Sequence, residues 1–172
     1  MRKPIFLLAF ALSIPLATQA VQSPQSSSLD RSWLIAAHQD NLAEIKSGDL
    51  AAEKGHDADV RAAARTLTRD HGNLDAKLRP VAKQLGVKLP TQPNAEQRDE
   101  MRKFKSASGV DFDRSWTHDE ADGHVKAIEL TVREIQHGSL PQVKHLAQSA
   151  LPVLKKHLHM LQQAQSARSG NQ

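Results

Sequence analysis

The stretch VRAAARTLTRDHGNLDAKLRPVAKQLG, from Val60 to Gly86, decides the fold. Within it Val60, Ala64, Leu67, His71, Leu74, Leu78, Val81 and Leu85 recur at alternating spacings of four and three, which sets them along one side of an α-helix. A helix this long holds its shape only when such a stripe is covered by other elements. Asp57 or Asp59 can cap its start and Gly86 supplies its stop. Pro80 lacks a backbone N–H and crowds the carbonyl of Ala76, so a kink is expected there.

Upstream, Leu34, His38, Asn41 and Ile45 form a second stripe, which Ser28 or Asp30 can cap and Gly55 closes. Downstream, residues 87–93 hold Pro90 and Pro93 and read as a connection. Asn94 with Gln97 makes a capping box for a short helix through about Ser108 that carries Met101 and Phe104. Asp111 can then cap a third long helix, with Phe112, Trp116, Ala121, Val125, Ile128, Val132 and Ile135 inward and Gly138 at its end. Ser139 and Pro141 open a fourth, whose stripe is Val143, Leu146, Ala150, Val153, His157, Met160 and Ala164, with a second kink at Pro152.

No strand pattern interrupts this series, so the class is all-α. Short links near 56 and 138 make two antiparallel helix pairs. The middle link, Val87 to Val110 with its own helix, is long enough to return along the molecule, which sets the third long helix parallel to the second. That is a ferritin-like four-helix bundle over residues 29–165, with a long crossover carrying a short extra helix.

The termini read differently. Arg2 and Lys3 precede an apolar run from Ile5 to Leu16, and Thr18-Gln19-Ala20 places small residues at the positions a signal peptidase reads. Residues 1–20 are therefore expected to be a signal peptide that exports the chain to the periplasm or cell envelope. The run is too short to span a bilayer and Pro15 breaks it, so no stable membrane insertion is expected after its removal. Residues 21–28 are a Gln/Ser tract read as a disordered leader, and residues 166–172 as a frayed tail.

Removing residues 1–20, with Arg2 and Lys3, lowers the formal net charge from +4 to +2, and only Trp33, Trp116, Phe104 and Phe112 then remain as aromatics. Nucleic-acid binding is not expected from such a surface. The absence of cysteine excludes disulfides, thiolate metal sites and a cysteine nucleophile. Nothing resembles a hydrolase triad or a phosphate loop.

The helical stripes carry polar residues where apolar ones would do. His71 and His124 each lie about thirteen residues into parallel helices, and reflection through the short links brings Asn41 with Glu44, and His157, to the same depth. An unpaired buried imidazole costs about 1–3 kcal/mol, so these residues must satisfy one another, hold water or hold a metal. Glu44, His71, His124 and His157 are the candidate ligands for one transition metal ion such as zinc, iron or copper, with Asn41, Asp70 and Glu120 as partners that orient the rings. His38 lies on the inner stripe and could join them; Glu134 and His137 read as a surface pair. The paired Glu-x-x-His motifs of di-iron bundles are missing, which argues against a ferroxidase.

Several motifs then line up in order: Ala36-Ala37 through Leu42-Ala43-Glu44-Ile45, Thr68-Arg69-Asp70-His71, Gly86-Val87-Lys88-Leu89-Pro90, Ser108 to Arg114 with Trp116 and His124, and Ala150-Leu151-Pro152-Val153-Leu154 with His157. Together they resemble the bacterial family catalogued as domain of unknown function 4142. The resemblance implies a ferritin-like fold and export, and supplies no activity. Trp116 stands where that family usually has Tyr or Phe, and Glu120 where a neutral residue is common.

Two functions follow. One is a non-enzymatic periplasmic bundle whose His/Glu centre binds a transition metal in envelope stress or metal handling. The other is a metal-free structural or interaction module with a buried, acid-responsive histidine network.

Overall fold

The computed structural model describes residues 27–169; the expected signal peptide and most of the expected leader lie outside them. The described residues form five helices and no strand: α1 (Ser28–Lys54), α2 (Ala58–Gln84), α3 (Ala95–Ser106), α4 (Gly109–His137) and α5 (Pro141–Ser169). No helix among them is long and apolar enough to cross a membrane.

The caps explain most boundaries. Ser27 and Asp30 form a capping box at the start of α1, one residue before the expected Ser28. Asn94 and Gln97 form the box expected at α3. Helix α4 begins at Gly109 after Ser108, ahead of the Asp111 expected to cap it. Gly55 and Gly138 end α1 and α4 as anticipated. Helix α5 continues to Ser169, into the stretch read as a frayed tail.

The buried face of α2 runs Val60, Ala64, Leu67, His71, Asp75, Leu78 and Ala82. Its second half departs from the expected Leu74, Val81 and Leu85, which are only half-buried. A strict alternation of four and three follows a period of 3.5, whereas a straight helix turns once in 3.6 residues, so the inward face drifts toward later positions. In α5 no drift is needed: Val143, Ala150, His157 and Ala164 are buried as expected, and Ala147, Leu154 and Leu161 fill the turns between them in place of Leu146, Val153 and Met160.

The four long helices close a ring in which α1 packs on α2 and α4, and α5 packs on α2 and α4. Hydrogen bonds across the ends fix the directions. The N–H groups of His56 and Asp57, in the α1–α2 link, donate to the carboxylate of Asp113 near the start of α4, at 2.9 and 2.8 Å. At the opposite end Ser139 and Leu140, in the α4–α5 link, donate to Asp30 in the first turn of α1, at 3.0 and 3.1 Å. Helices α2 and α4 therefore start at the same end and run parallel, and the segment carrying α3 crosses the length of the bundle.

These two clamps expose a repeat in the chain. Asp-Arg-Ser-Trp occurs at residues 30–33 and again at 113–116. One common offset relates Asp30 to Asp113, Trp33 to Trp116, Gly55 to Gly138 and Ala58 to Pro141, the first residue of the second helix in each hairpin. Each hairpin thus presents a buried aspartate to the link of the other, and Trp33 and Trp116 anchor separate apolar clusters at the two ends.

His38 ties the crossover down. Its Nδ1 is 2.6 Å from Asp75 Oδ1 and its Nε2 is 2.9 Å from the carbonyl of Pro90, so both ring nitrogens are occupied away from the bundle centre.

Two glycines inside helices behave oppositely. A Cβ at Gly72 meets nothing, whereas one at Gly48 would overlap Thr68 Oγ1 and stand 3.0 Å from the carbonyl oxygen of Ala64, where α1 and α2 touch. Gly72→Ala should therefore raise stability by about 1 kcal/mol through helix propensity, and Gly48→Ala should lower it; thermal melts of the two variants check the contrast. Glu134, expected on the surface, is fully buried beside Asp30. Burial, then Asp30, push its carboxyl up to about 7 against the pull of Lys144. Asp30 is held at about 2, despite burial, by hydrogen bonds from Ser27 and Leu140. Because the folded value of Glu134 lies above the ordinary 4.5, its stabilising contribution is full below that value and is lost as the pH rises through about 7. Glu134→Gln should gain stability relative to wild type between about pH 5 and about pH 8, read as diverging urea midpoints.

Candidate metal centre

Apolar packing stops halfway along the bundle. One cluster, with Trp33, Leu34, Leu78 and Leu140, fills one end, and another, with Leu67, Phe112, Trp116 and Leu161, fills the other. Between them lie Asn41, Glu44 and Ser47 of α1, His71 of α2, Glu120 and His124 of α4 and His157 of α5, all buried. His71 is 2% exposed, and His124 and His157 are 0%.

The three rings form a nearly equilateral triangle with centroid separations of 5.5, 5.2 and 5.4 Å. Each gives its outer N–H away. His71 Nδ1 donates to Asn41 Oδ1 at 2.9 Å, His124 Nδ1 to the carbonyl of Glu120 at 2.8 Å, and His157 Nε2 to Asp70 Oδ2 at 3.1 Å. Those acceptors fix the tautomers, so His71 Nε2, His124 Nε2 and His157 Nδ1 carry lone pairs. His124 Nε2 and His157 Nδ1 face each other at 3.3 Å, and His71 Nε2 is buried without a hydrogen-bond partner. One nitrogen from each ring lies within 4.8 Å of the others. Three converging acceptors with no donor among them repel one another.

Burial sets the charge state. Desolvation, and then the neighbouring imidazoles, hold His71 well below its ordinary range. Desolvation lowers His124 to about 4, with the Glu120 carbonyl opposing. His157 is lowered in the same way although Asp70 pulls it upward. Asp70, which burial alone would raise, is held low by its bonds from His157 and Arg69. All three rings are neutral near pH 7, the form that ligates metals.

A carboxyl pair adjoins the triangle. Glu44 Oε2 lies 4.0 Å from His71 Nε2, and Oε1 lies 3.5 Å from His124 Nδ1. Burial and then the Glu120 charge push Glu44 well above the usual carboxylate range, so the two carboxyls share a proton in a hydrogen bond. Glu120 is raised by burial and stabilised by that bond and by Ser47 Oγ, which donates to Oε1 at 2.5 Å. One ligand atom each from Glu44, Glu120 and His124 also lies within 4.8 Å of the other two.

A cavity of about 110 Å³ reaches this layer, lined by His71, His124, Glu44 and Glu120 at its polar part and by Trp33, Leu78, Leu146 and Leu154 at its apolar part. The family model described as "Domain of unknown function (DUF4142)" matches residues 15–164. The chain belongs to this family. Neither a curated protein nor a solved structure matches it.

In this DUF4142 member the structure brings His71, His124 and His157 into one group and sets Glu44 against two of them. His38 is held elsewhere, and His56, His118, His137, His145 and His159 are exposed. The expected apolar face of α4 fails beyond Ala121: Val125 is 42% exposed, and the inward positions are His124, Thr131 and Glu134. Choosing the stripe by hydrophobicity missed the side that carries the polar layer. Ser47 and the clamps Asp30 and Asp113 were also missed; the repeated Asp-Arg-Ser-Trp was the available signal for the clamps, and nothing local distinguishes Ser47.

Such a layer costs stability in the metal-free protein. Replacing both partners of a buried hydrogen bond by apolar groups is close to neutral or stabilising. The double variant Asn41→Leu/His71→Leu, stripped of metal, should melt at or above the metal-free wild type. A lower melting temperature would show that the ring is there to hold the bundle together.

Proposed function

We propose that this protein is an exported, ferritin-like four-helix bundle that binds one transition metal ion through His71, His124 and His157, with Glu44 beside them as a further ligand. The carrying observation is the set of three outward-bonded imidazoles whose remaining lone pairs converge. Tetrahedral coordination at the usual metal–nitrogen distance of about 2.0–2.1 Å sets neighbouring ligand nitrogens about 3.3 Å apart. His124 and His157 already have that separation. The unpartnered His71 Nε2 and Glu44 Oε2 are the buried atoms that such an ion would satisfy.

Imidazole nitrogen with carboxylate oxygen suits zinc, iron or copper, and three protein nitrogens leave room for another ligand. Asn41, the Glu120 carbonyl and Asp70 would hold the rings in the ligating tautomer. The ferritin-like assignment rests on the crossover that sets α2 and α4 parallel. Export rests on Arg2, Lys3 and the apolar run to Leu16. A role in metal handling or envelope stress suits a buried centre in an exported chain.

Elemental analysis of protein purified without chelator should find about one transition metal per chain, and His157→Leu should abolish it. Chelation should lower the melting temperature, since an ion present at a hundred times its Kd contributes about 2.7 kcal/mol. Metal-free protein whose melting ignores chelator would leave the acid-responsive histidine network as the reading.

A further inference from the structure

The cavity above the centre is charged unevenly. Its lining includes five carboxylates, Asp40, Glu44, Glu100, Asp119 and Glu120, against a single basic residue, Lys77 of α2. Glu44 and Glu120 are buried in the polar layer, while Asp40 of α1, Asp119 of α4 and Glu100 of the crossover helix α3 are half-buried. Asp40 Oδ1 accepts from the Gln97 amide of α3 at 2.6 Å, which brings the crossover helix onto the groove between α1 and α4.

These carboxylates are poorly compensated. Burial raises Asp40 to about 6 and the Glu100 charge adds to it. Burial, Asp119 and Glu96 raise Glu100, with Lys126 and Lys103 opposing. Mutual repulsion in a half-dry groove destabilises the fold, so packing does not account for the arrangement. The groove also ends at two buried polar atoms left without hydrogen-bond partners, His71 Nε2 and Glu44 Oε2.

We propose that Glu100, Asp119 and Asp40 line the path by which a divalent cation passes from solvent under α3 to the imidazole triad. The inference rests on the metal-binding reading above and adds the direction of approach. A dication moving into a low-dielectric interior needs negative charge along its way, and clefts lined by one sign of charge raise the local concentration of the opposite ion. Carboxylate oxygens accept hydrated cations loosely, whereas imidazole nitrogens hold transition ions more tightly, so affinity rises inward. The Lys77 side disfavours the same ion.

The test is stopped-flow uptake of Co(II) by metal-free full-length protein, followed by the visible absorbance that nitrogen ligation gives the ion. Asp40→Asn/Glu100→Gln/Asp119→Asn should load at least about tenfold more slowly, with a flattened salt dependence, and should reach an endpoint that shows the triad filled. Neutralising repelling groups does not threaten the fold, and Glu100→Gln alone, at the groove's half-exposed edge, should slow loading in smaller measure. Lys77→Gln should not slow it. A triple variant that fills at the wild-type rate with the wild-type salt dependence overturns the path and leaves the centre standing. Wild-type protein that takes up no cobalt overturns both.

Discussion

Everything in the middle of this molecule depends on where three imidazole N–H groups point. Asn41 of α1, a helical carbonyl of α4 and Asp70 of α2 each take one, and these bonds turn the opposite nitrogen of every ring inward. Were any of the three acceptors missing, its ring could flip and donate to a neighbour, and the group would become an ordinary buried hydrogen-bond network. As built, the layer leaves lone pairs facing one another between two apolar clusters.

The rest of the fold supplies the rigidity that holds such an arrangement. Each helical hairpin extends a buried aspartate to the link of the other, and each aspartate accepts backbone N–H groups that have no helical partner of their own. The long helices are thereby locked in register at both ends, and the polar layer stays level across four separate elements. The crossover adds a further helix, and His38, through the carbonyl of Pro90, Gln97, through Asp40, and Lys54, through the carbonyls of Phe104 and Lys105, bind the crossover to the outside of the bundle.

Acidic groups appear in two settings that differ in their donors. Asp30 and Asp113 are buried with backbone donors in place and serve the architecture. Glu44 and Glu120 are buried with one proton and one serine hydroxyl between them, and Asp40 has an amide. Carboxylates so short of donors make a favourable environment for a cation, and they occupy the same cavity as two of the three histidines.

Periodicity in the chain was sufficient to give the helices, their glycine stops, the box at Asn94 and the parallel course of α2 and α4, because these depend on local geometry and on link length. The depths of His71, His124 and His157 were also legible, since depth is a count along a helix. What side a helix turns inward beyond its midpoint was not: in α2 a drift between periods 3.5 and 3.6, and in α4 the polar interior at Thr131 and Glu134, displaced the buried face from the most apolar one. Nor could spacing say that His38 would face Asp75 and Pro90, or which ring nitrogen would keep its proton. Those outcomes depend on acceptors brought in from other helices, and only the packed bundle places them.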